Sequence, residues 1–281
     1  MPFKVLFVEL LGRCALVGAI FSTLFYSPYD PYIPADIAYK YSYPFAFKNT
    51  ISFSKLIFIT CIAVILVPLI IWLLFGNFFR RNIDITNYLL ALSLTLLTTN
   101  LLVEILKIAI SRPRPDFLQR CFGSSTIDLT SWSPYPKCIE TSPELNLKDG
   151  LKAFPSGHSA LAWTVAVFLF LYIYEKKKFI EENNLFVSPI PSIVIFISGL
   201  ILSLGAAYIS SSRLRDHRHH PEDVIAGTTI GCLVAIVSFY IYYPVPPEKL
   251  MKHVSSEHVY DGYLDQSSDL SHLLNSKGMV A

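Results

Sequence analysis
Six apolar stretches decide what this 281-residue chain can fold into. They cover about residues 5–26, 56–75, 85–110, 159–174, 189–211 and 224–243, each near the ~20 residues a helix needs to cross a hydrocarbon core. Lipid offers the backbone no hydrogen-bond partners, so such spans must satisfy themselves as helices. The composition, 53% hydrophobic and 16% charged, is too apolar for an ordinary soluble domain. The expectation is an all-α integral membrane protein with six transmembrane helices and no nucleic-acid partner. The first stretch is not read as a signal peptide: it contains Glu9 and Arg13, and no small-residue cleavage site follows. Those two residues are spaced i,i+4, which suits a pair inside the membrane. They are read as a structural contact between helices.

Six spans place both termini on one side. Residues 76–84 and 175–188 then share the side of the termini, and residues 27–55, 111–158 and 212–223 face the other. Arg80-Arg81 and Lys176-Lys177-Lys178 mark the first side as cytoplasmic by the positive-inside rule. The opposite side also carries Arg and Lys, which are read as ligands in the chemistry. That puts the functional end on the luminal or extracytoplasmic side of endoplasmic reticulum, Golgi, vacuole or plasma membrane. The tyrosines from Tyr26 to Tyr43 are expected to anchor the headgroup zone. Residues 1–243 form the expected membrane domain, and residues 244–281 a polar, disordered cytoplasmic tail. Cys14, Cys61 and Cys232 are expected as buried thiols. Cys121 and Cys138 share the long outer loop, where a disulfide is left open.

Three polar motifs fall on that outer side. In the first, Lys107 ends the third span and Arg112-Pro113-Arg114-Pro115 follows. Proline stops the helix, leaving an ammonium and guanidinium forks suited to phosphate oxygens. Membrane anchoring, or neutralisation of Lys107 by Glu104, would also explain these cations. In the second, Pro155-Ser156-Gly157-His158 opens the fourth span. A hydroxyl and unhindered N–H groups at a helix start attract anions, and His158 sits where it can move a proton. A helix cap at Ser156 is the plainer account of that residue. In the third, Ser212-Arg213 closes the fifth span, and His219 precedes Asp223 by four residues, so the two share one face of a helix. A carboxylate one turn away can orient the imidazole. Glu222 and Asp223 also suit a helix N-terminus for charge reasons alone. A metal cluster of His217, His219 and His220 with His158 and Asp223 is disfavoured, because the nearby arginines would repel a cation.

Each motif is ambiguous alone, but all three fall on one side at one depth. With these spacings the chain resembles the lipid phosphate phosphatases of the type 2 phosphatidic acid phosphatase superfamily. The shared pattern is Lys107-x6-Arg114-Pro115, then Pro155-Ser156-Gly157-His158, then Ser212-Arg213-x5-His219-x3-Asp223. Reading Arg112-Pro113 as the first motif would shorten the spacing by two, so Arg114 takes the role. The surrounding text looks like fungal enzymes acting on phosphatidate and diacylglycerol pyrophosphate.

The resemblance implies a helical-bundle catalytic core of the vanadium haloperoxidase and acid phosphatase type. It implies hydrolysis of lipid phosphate monoesters with His219 as nucleophile, Asp223 as its orienting carboxylate and His158 as acid and base. It also implies that Lys107, Arg114, Ser156, Gly157 and Arg213 bind the phosphoryl group, with no cofactor and no metal. The lipid bilayer and the lipid phosphate are the partners, and the oligomeric state is left open. The lipid tail is left open too: phosphatidate, lysophosphatidate, diacylglycerol pyrophosphate, a sphingoid-base phosphate or a polyprenyl diphosphate. A non-enzymatic anion transporter is the remaining alternative.

Overall fold
In a computed structural model, residues 3–75, 81–123, 132–138, 146–182 and 190–244 are described. Arg80 and the tail beyond Pro244 lie outside the described residues. The chain divides into two compact units, Met1–Tyr242 and Tyr243–Ala281. Among the described residues all regular structure is helical. The long helices are α1 (Phe3–Thr23), α2 (Phe53–Phe75), α3 (Arg81–Ile110), α6 (Gly157–Glu182), α7 (Ile190–Arg215) and α8 (Pro221–Tyr242), with short α4 (Phe117–Phe122) and α5 (Leu147–Gly150) between α3 and α6. A 3-10 turn spans Ala35–Tyr41.

All six long helices are long and apolar enough to cross a membrane. Their outward faces carry exposed Val8, Phe21, Phe58, Phe196, Ile201 and Ile225, a display that a water-soluble surface does not tolerate. This is the layout of a multi-pass membrane protein. Cys14 and Cys61 are exposed on these helices and Cys232 is half-buried, which corrects the expectation of buried thiols. Hydropathy marks a span but not which of its faces meets protein.

Helix α6 is the hub, packed against α2, α3, α7 and α8. The close approach of α8 depends on Gly227 and Gly231, spaced i,i+4. A Cβ on Gly227 would collide with the carbonyl of Ser156, and one on Gly231 with that of Ala160. Small residues at this spacing let two helix backbones touch within a membrane. Here the contact fixes the start of α8 beside the start of α6, and the N–H of Ser156 donates to the carbonyl of Asp223 at 2.9 Å.

Helices α6 and α7 run further than their apolar spans suggest. Polar partners carry α6 past Tyr174: Lys176 pairs with Asp84 of α3, and Tyr172 donates to the same carboxylate at 2.9 Å. Helix α7 continues through Ser212 and Arg213 to Arg215.

The loops joining the helices at the end that holds the start of α6 form a small core of their own. Ile33 and Ala38 bury against Phe117, Leu118, Cys121 and Leu151, and Cys121 is disulfide-bonded to Cys138. The tyrosine-rich loop is therefore only partly an interface anchor. Tyr29, Tyr32 and Tyr39 are exposed, but Tyr43 stacks on His217 with ring centroids 4.7 Å apart and Tyr41 meets His220 edge-on.

Candidate active site
The three motifs converge at that end of the bundle. Lys107 comes from the last turn of α3, His158 from the first turn of α6, Arg213 from the last turn of α7, and His219 from the link into α8. Arg114 arrives on the segment after α3. That segment is clasped to the approach to α6 by two backbone bonds, Arg114 N–H to the Gly150 carbonyl at 2.8 Å and Ala153 N–H to the Arg112 carbonyl at 3.0 Å. A side chain at Gly150 would crowd Arg120, since a Cβ there would lie 2.8 Å from its Cδ. Lys107, Arg114, Gly157, His158, Arg213 and His219 all line one cavity of about 640 Å³.

His219 is buried, and its Nδ1 lies 2.6 Å from the carbonyl of Ala153. A carbonyl only accepts, so Nδ1 carries the hydrogen and Nε2 holds the lone pair. The sequence reading gave that orienting role to Asp223, whose carboxylate is 3.8 Å from the same nitrogen. Asp223 is fully buried and does more than face His219. As the third residue of α8 it accepts from the N–H of His220 at 2.8 Å, half of a capping box, and it pairs with Arg112 at 2.7 Å. The clasp thus makes a backbone carbonyl the direct partner of the ring and sets the carboxylate behind it. Burial pushes the His219 imidazole down to about 4, with Arg114 adding to the effect and Asp223 and Ala153 opposing it. The ring is neutral at physiological pH.

Each motif cation has its own carboxylate. Lys107 pairs with Glu104 at 2.6 Å, Arg114 with Asp149 at 2.7 Å and Arg213 with Asp216 at 2.7 Å. Burial raises the Asp149 carboxyl, but Arg114, Arg120, Arg218 and Lys107 outweigh it and hold it down at about 2. The ammonium of Lys107 comes to 3.3 Å from where a Cβ on Gly157 would be. A cation, paired on one side with Glu104, and the positive end of α6 are thus held side by side, a place that attracts an anion. Nε2 of His158 is buried with no hydrogen-bond partner among the described residues, and its ring packs edge-on to Phe53.

Ser156 sits as the helix cap that its place in the sequence also allowed. It is fully buried, and its hydroxyl accepts from the Ser159 hydroxyl at 3.1 Å. It caps α6 rather than lining the cavity with the other motif residues. Arg112, turned to Asp223 and Glu222, is likewise not on the cavity wall, whereas Arg114 is. His217 and His220 turn toward Tyr43 and Tyr41.

Sequence reasoning missed Arg120, Asp149 and Arg218, which also line the cavity. Arg120 and Arg218 both bond Asp116 and both lie over the ring of Phe45, at 4.8 and 4.4 Å. Only the spacing of Asp116 and Arg120, i,i+4, was available in the sequence as a signal.

Residues 88–246 match the PAP2 superfamily, a stretch that contains every motif residue above. The chain belongs to the PAP2 superfamily. This PAP2 chain is 32% identical to Lipid phosphate phosphatase 1 of Arabidopsis thaliana, over 78% of its own length and 63% of that protein's. It is 31% identical to Diacylglycerol pyrophosphate phosphatase 1 of Saccharomyces cerevisiae, over 69% of this chain and 65% of that one. It is 28% identical to a probable diacylglycerol pyrophosphate phosphatase 1 of Schizosaccharomyces pombe, over 72% and 69% respectively. The PAP2 chain thus spans about two thirds of the length of these relatives. No solved structure matches it.

Proposed function
We propose that this PAP2 protein is a membrane lipid phosphatase that hydrolyses phosphate monoesters of lipids through a phosphohistidine. Phosphatidate, lysophosphatidate and diacylglycerol pyrophosphate are the substrates in view. One observation carries the reading: a neutral His219, with Nδ1–H tied to Ala153 and Nε2 left as the lone-pair nitrogen, shares a cavity with Lys107, Arg114, Arg213 and His158. Nε2 attacks phosphorus and the bond from phosphorus to the lipid oxygen breaks, with His158 protonating the leaving oxygen. His158 then takes a proton from water as that water attacks the phosphohistidine, which releases inorganic phosphate and restores His219. Asp223 stabilises the imidazole as it gains charge. Lys107, Arg114, Arg213 and the Gly157 N–H hold the phosphoryl oxygens, with Ser156 capping the helix that presents Gly157. Fixed donors aimed at charge growing in the transition state supply the largest rate effect, and the scheme needs no metal.

Away from the cations the cavity wall becomes apolar, with Ile57, Val64, Leu97, Leu161 and Val165. A lipid can keep its chains there while its phosphate meets the cations. The site faces the lumen or cell exterior, and residues beyond 243 form a cytoplasmic tail. The positive-inside count and the alternation of spans support this sidedness.

The test is phosphate release by purified full-length protein in detergent micelles, with phosphatidate, lysophosphatidate and diacylglycerol pyrophosphate compared. Turnover that survives EDTA is expected. Strict dependence on added Mg²⁺, or no release from any of these lipids, contradicts the proposal.

A further inference from the structure
The cavity wall changes character along one face of α3. Lys107 lies at the phosphate end, Glu104 one turn deeper, Asn100 one turn deeper again, and Leu97 and Leu96 below that; all five line the cavity. From Lys107 to Asn100 the helix descends about 10 Å. Asn100 therefore sits well inside an apolar span. It is exposed to the cavity and has no hydrogen-bond partner among the described residues. Of the other polar side chains in this part of α3, Thr99 bonds Thr164 at 3.1 Å, Thr95 donates to the Ala91 carbonyl and Glu104 bonds Lys107, while Thr98 is not among the residues that line the cavity.

An amide at this depth with no protein partner is costly unless something polar reaches it through the cavity. Polar groups persist in spans where they face a cavity that something polar enters. The order is a cation paired with Glu104, then an amide, then an aliphatic wall, and it matches the order of groups along one kind of lipid: a phosphate, a hydrogen-bonding linker, then hydrocarbon. The side-chain amide of asparagine donates two hydrogens, which suits an ester carbonyl.

Resting on the phosphatase reading above, the geometry points to Asn100 as a specificity residue that donates to a carbonyl of an acyl-ester linker. The substrate class is then the acylated glycerol phosphates. Polyprenyl phosphates have no acceptor beyond the phosphate, so they leave this amide unpaired. Discrimination against a ligand that lacks the matching group follows from that unpaired group.

The experiment compares kcat/KM for dioleoyl phosphatidate with kcat/KM for the dialkyl ether analogue of the same chain length, using full-length protein in micelles. The ratio of the two is unaffected by the fraction of protein that folds. Wild type is expected to favour the ester by about tenfold, one hydrogen bond's worth. Asn100→Leu should bring the ratio near one, and Asn100→Gln, which keeps the amide, should retain most of the preference. A wild-type ratio near one, or a preference that survives in Asn100→Leu, overturns the assignment and leaves the phosphatase reading standing. Release of phosphate from neither lipid by wild type overturns both.

Discussion

Of the charged clusters among the described residues, the one around Arg13 and the one around His219 differ in how completely they are satisfied. Around Arg13, in the half of the bundle away from the cavity mouth, the guanidinium donates to Ser93, to the Glu9 carbonyl and carboxylate, to the Leu90 carbonyl and to Tyr242, all within 2.8 Å. Tyr242 in turn donates to Glu9 at 2.6 Å. This network ties α1, α3 and α8 together and leaves the Arg13 guanidinium no N–H for a ligand. Around His219 the residue types are similar, but His158 keeps a buried unpartnered nitrogen and the cations open on a cavity. Charge inside a membrane protein therefore has two uses. Closed networks hold helices, while networks that open on a cavity are free to meet a ligand.

The sharpest way to break this contrast is His219→Ala, which should cost at least ~10⁴-fold in phosphate release, the scale seen when a nucleophile is removed. Near-normal turnover of the purified variant would remove the distinction. His158→Ala should cost about 10²–10⁴-fold, the usual worth of one acid–base group, as read in kcat on phosphatidate. At the closed cluster the effect should appear in stability instead. Arg13→Leu leaves Glu9 without its cation, and thermal unfolding in detergent should show a loss of roughly 3 kcal/mol, with turnover per folded molecule close to wild type. The double variant Glu9→Leu with Arg13→Leu should recover most of that loss. Asp223→Asn sharpens the picture of the site. Where the carboxylate alone fixes the tautomer, such a change costs about 10⁴-fold. Here the Ala153 carbonyl performs that task, so a loss of about 10²-fold in kcat is expected, below that target because the tautomer survives.

The smallest predicted effect is a pH dependence of stability. His219 has a folded value near 4 against about 6.5 in the unfolded chain. Above pH 6.5 neither state is protonated and no stability is lost. As pH falls from 6.5 toward 4, the unfolded chain gains a proton that the folded ring refuses, so stability declines. Between pH 7 and pH 5 this contributes about 2 kcal/mol. His219→Gln should remove that share of the decline, and identical pH profiles for the two proteins would contradict it.

The fold was legible in the sequence because lipid leaves the backbone few options: each apolar stretch corresponds to one long helix. What hydropathy could not show was where α6 and α7 end, since Lys176 and Arg213 continue those helices through polar pairs. Lys107, Gly157, His158, Arg213 and His219 reach the cavity because each stands at the end of a span, a position that spacing reveals. Arg114 reaches it too, from the segment that follows α3. Asp149 and Arg218 were not legible, because their places depend on how loops distant in sequence fold over the site. The Ala153 carbonyl was hidden for a deeper reason: a backbone acceptor has no residue type to read.

The most direct test of the account is to trap the phosphoryl group. Full-length protein is mixed with phosphatidate, quenched in alkali during turnover and mapped by mass spectrometry. The account predicts an acid-labile, alkali-stable phosphoryl group on His219, absent from His219→Ala. Phosphorylation at another residue, or turnover with no phosphoenzyme on any time scale sampled, would contradict it.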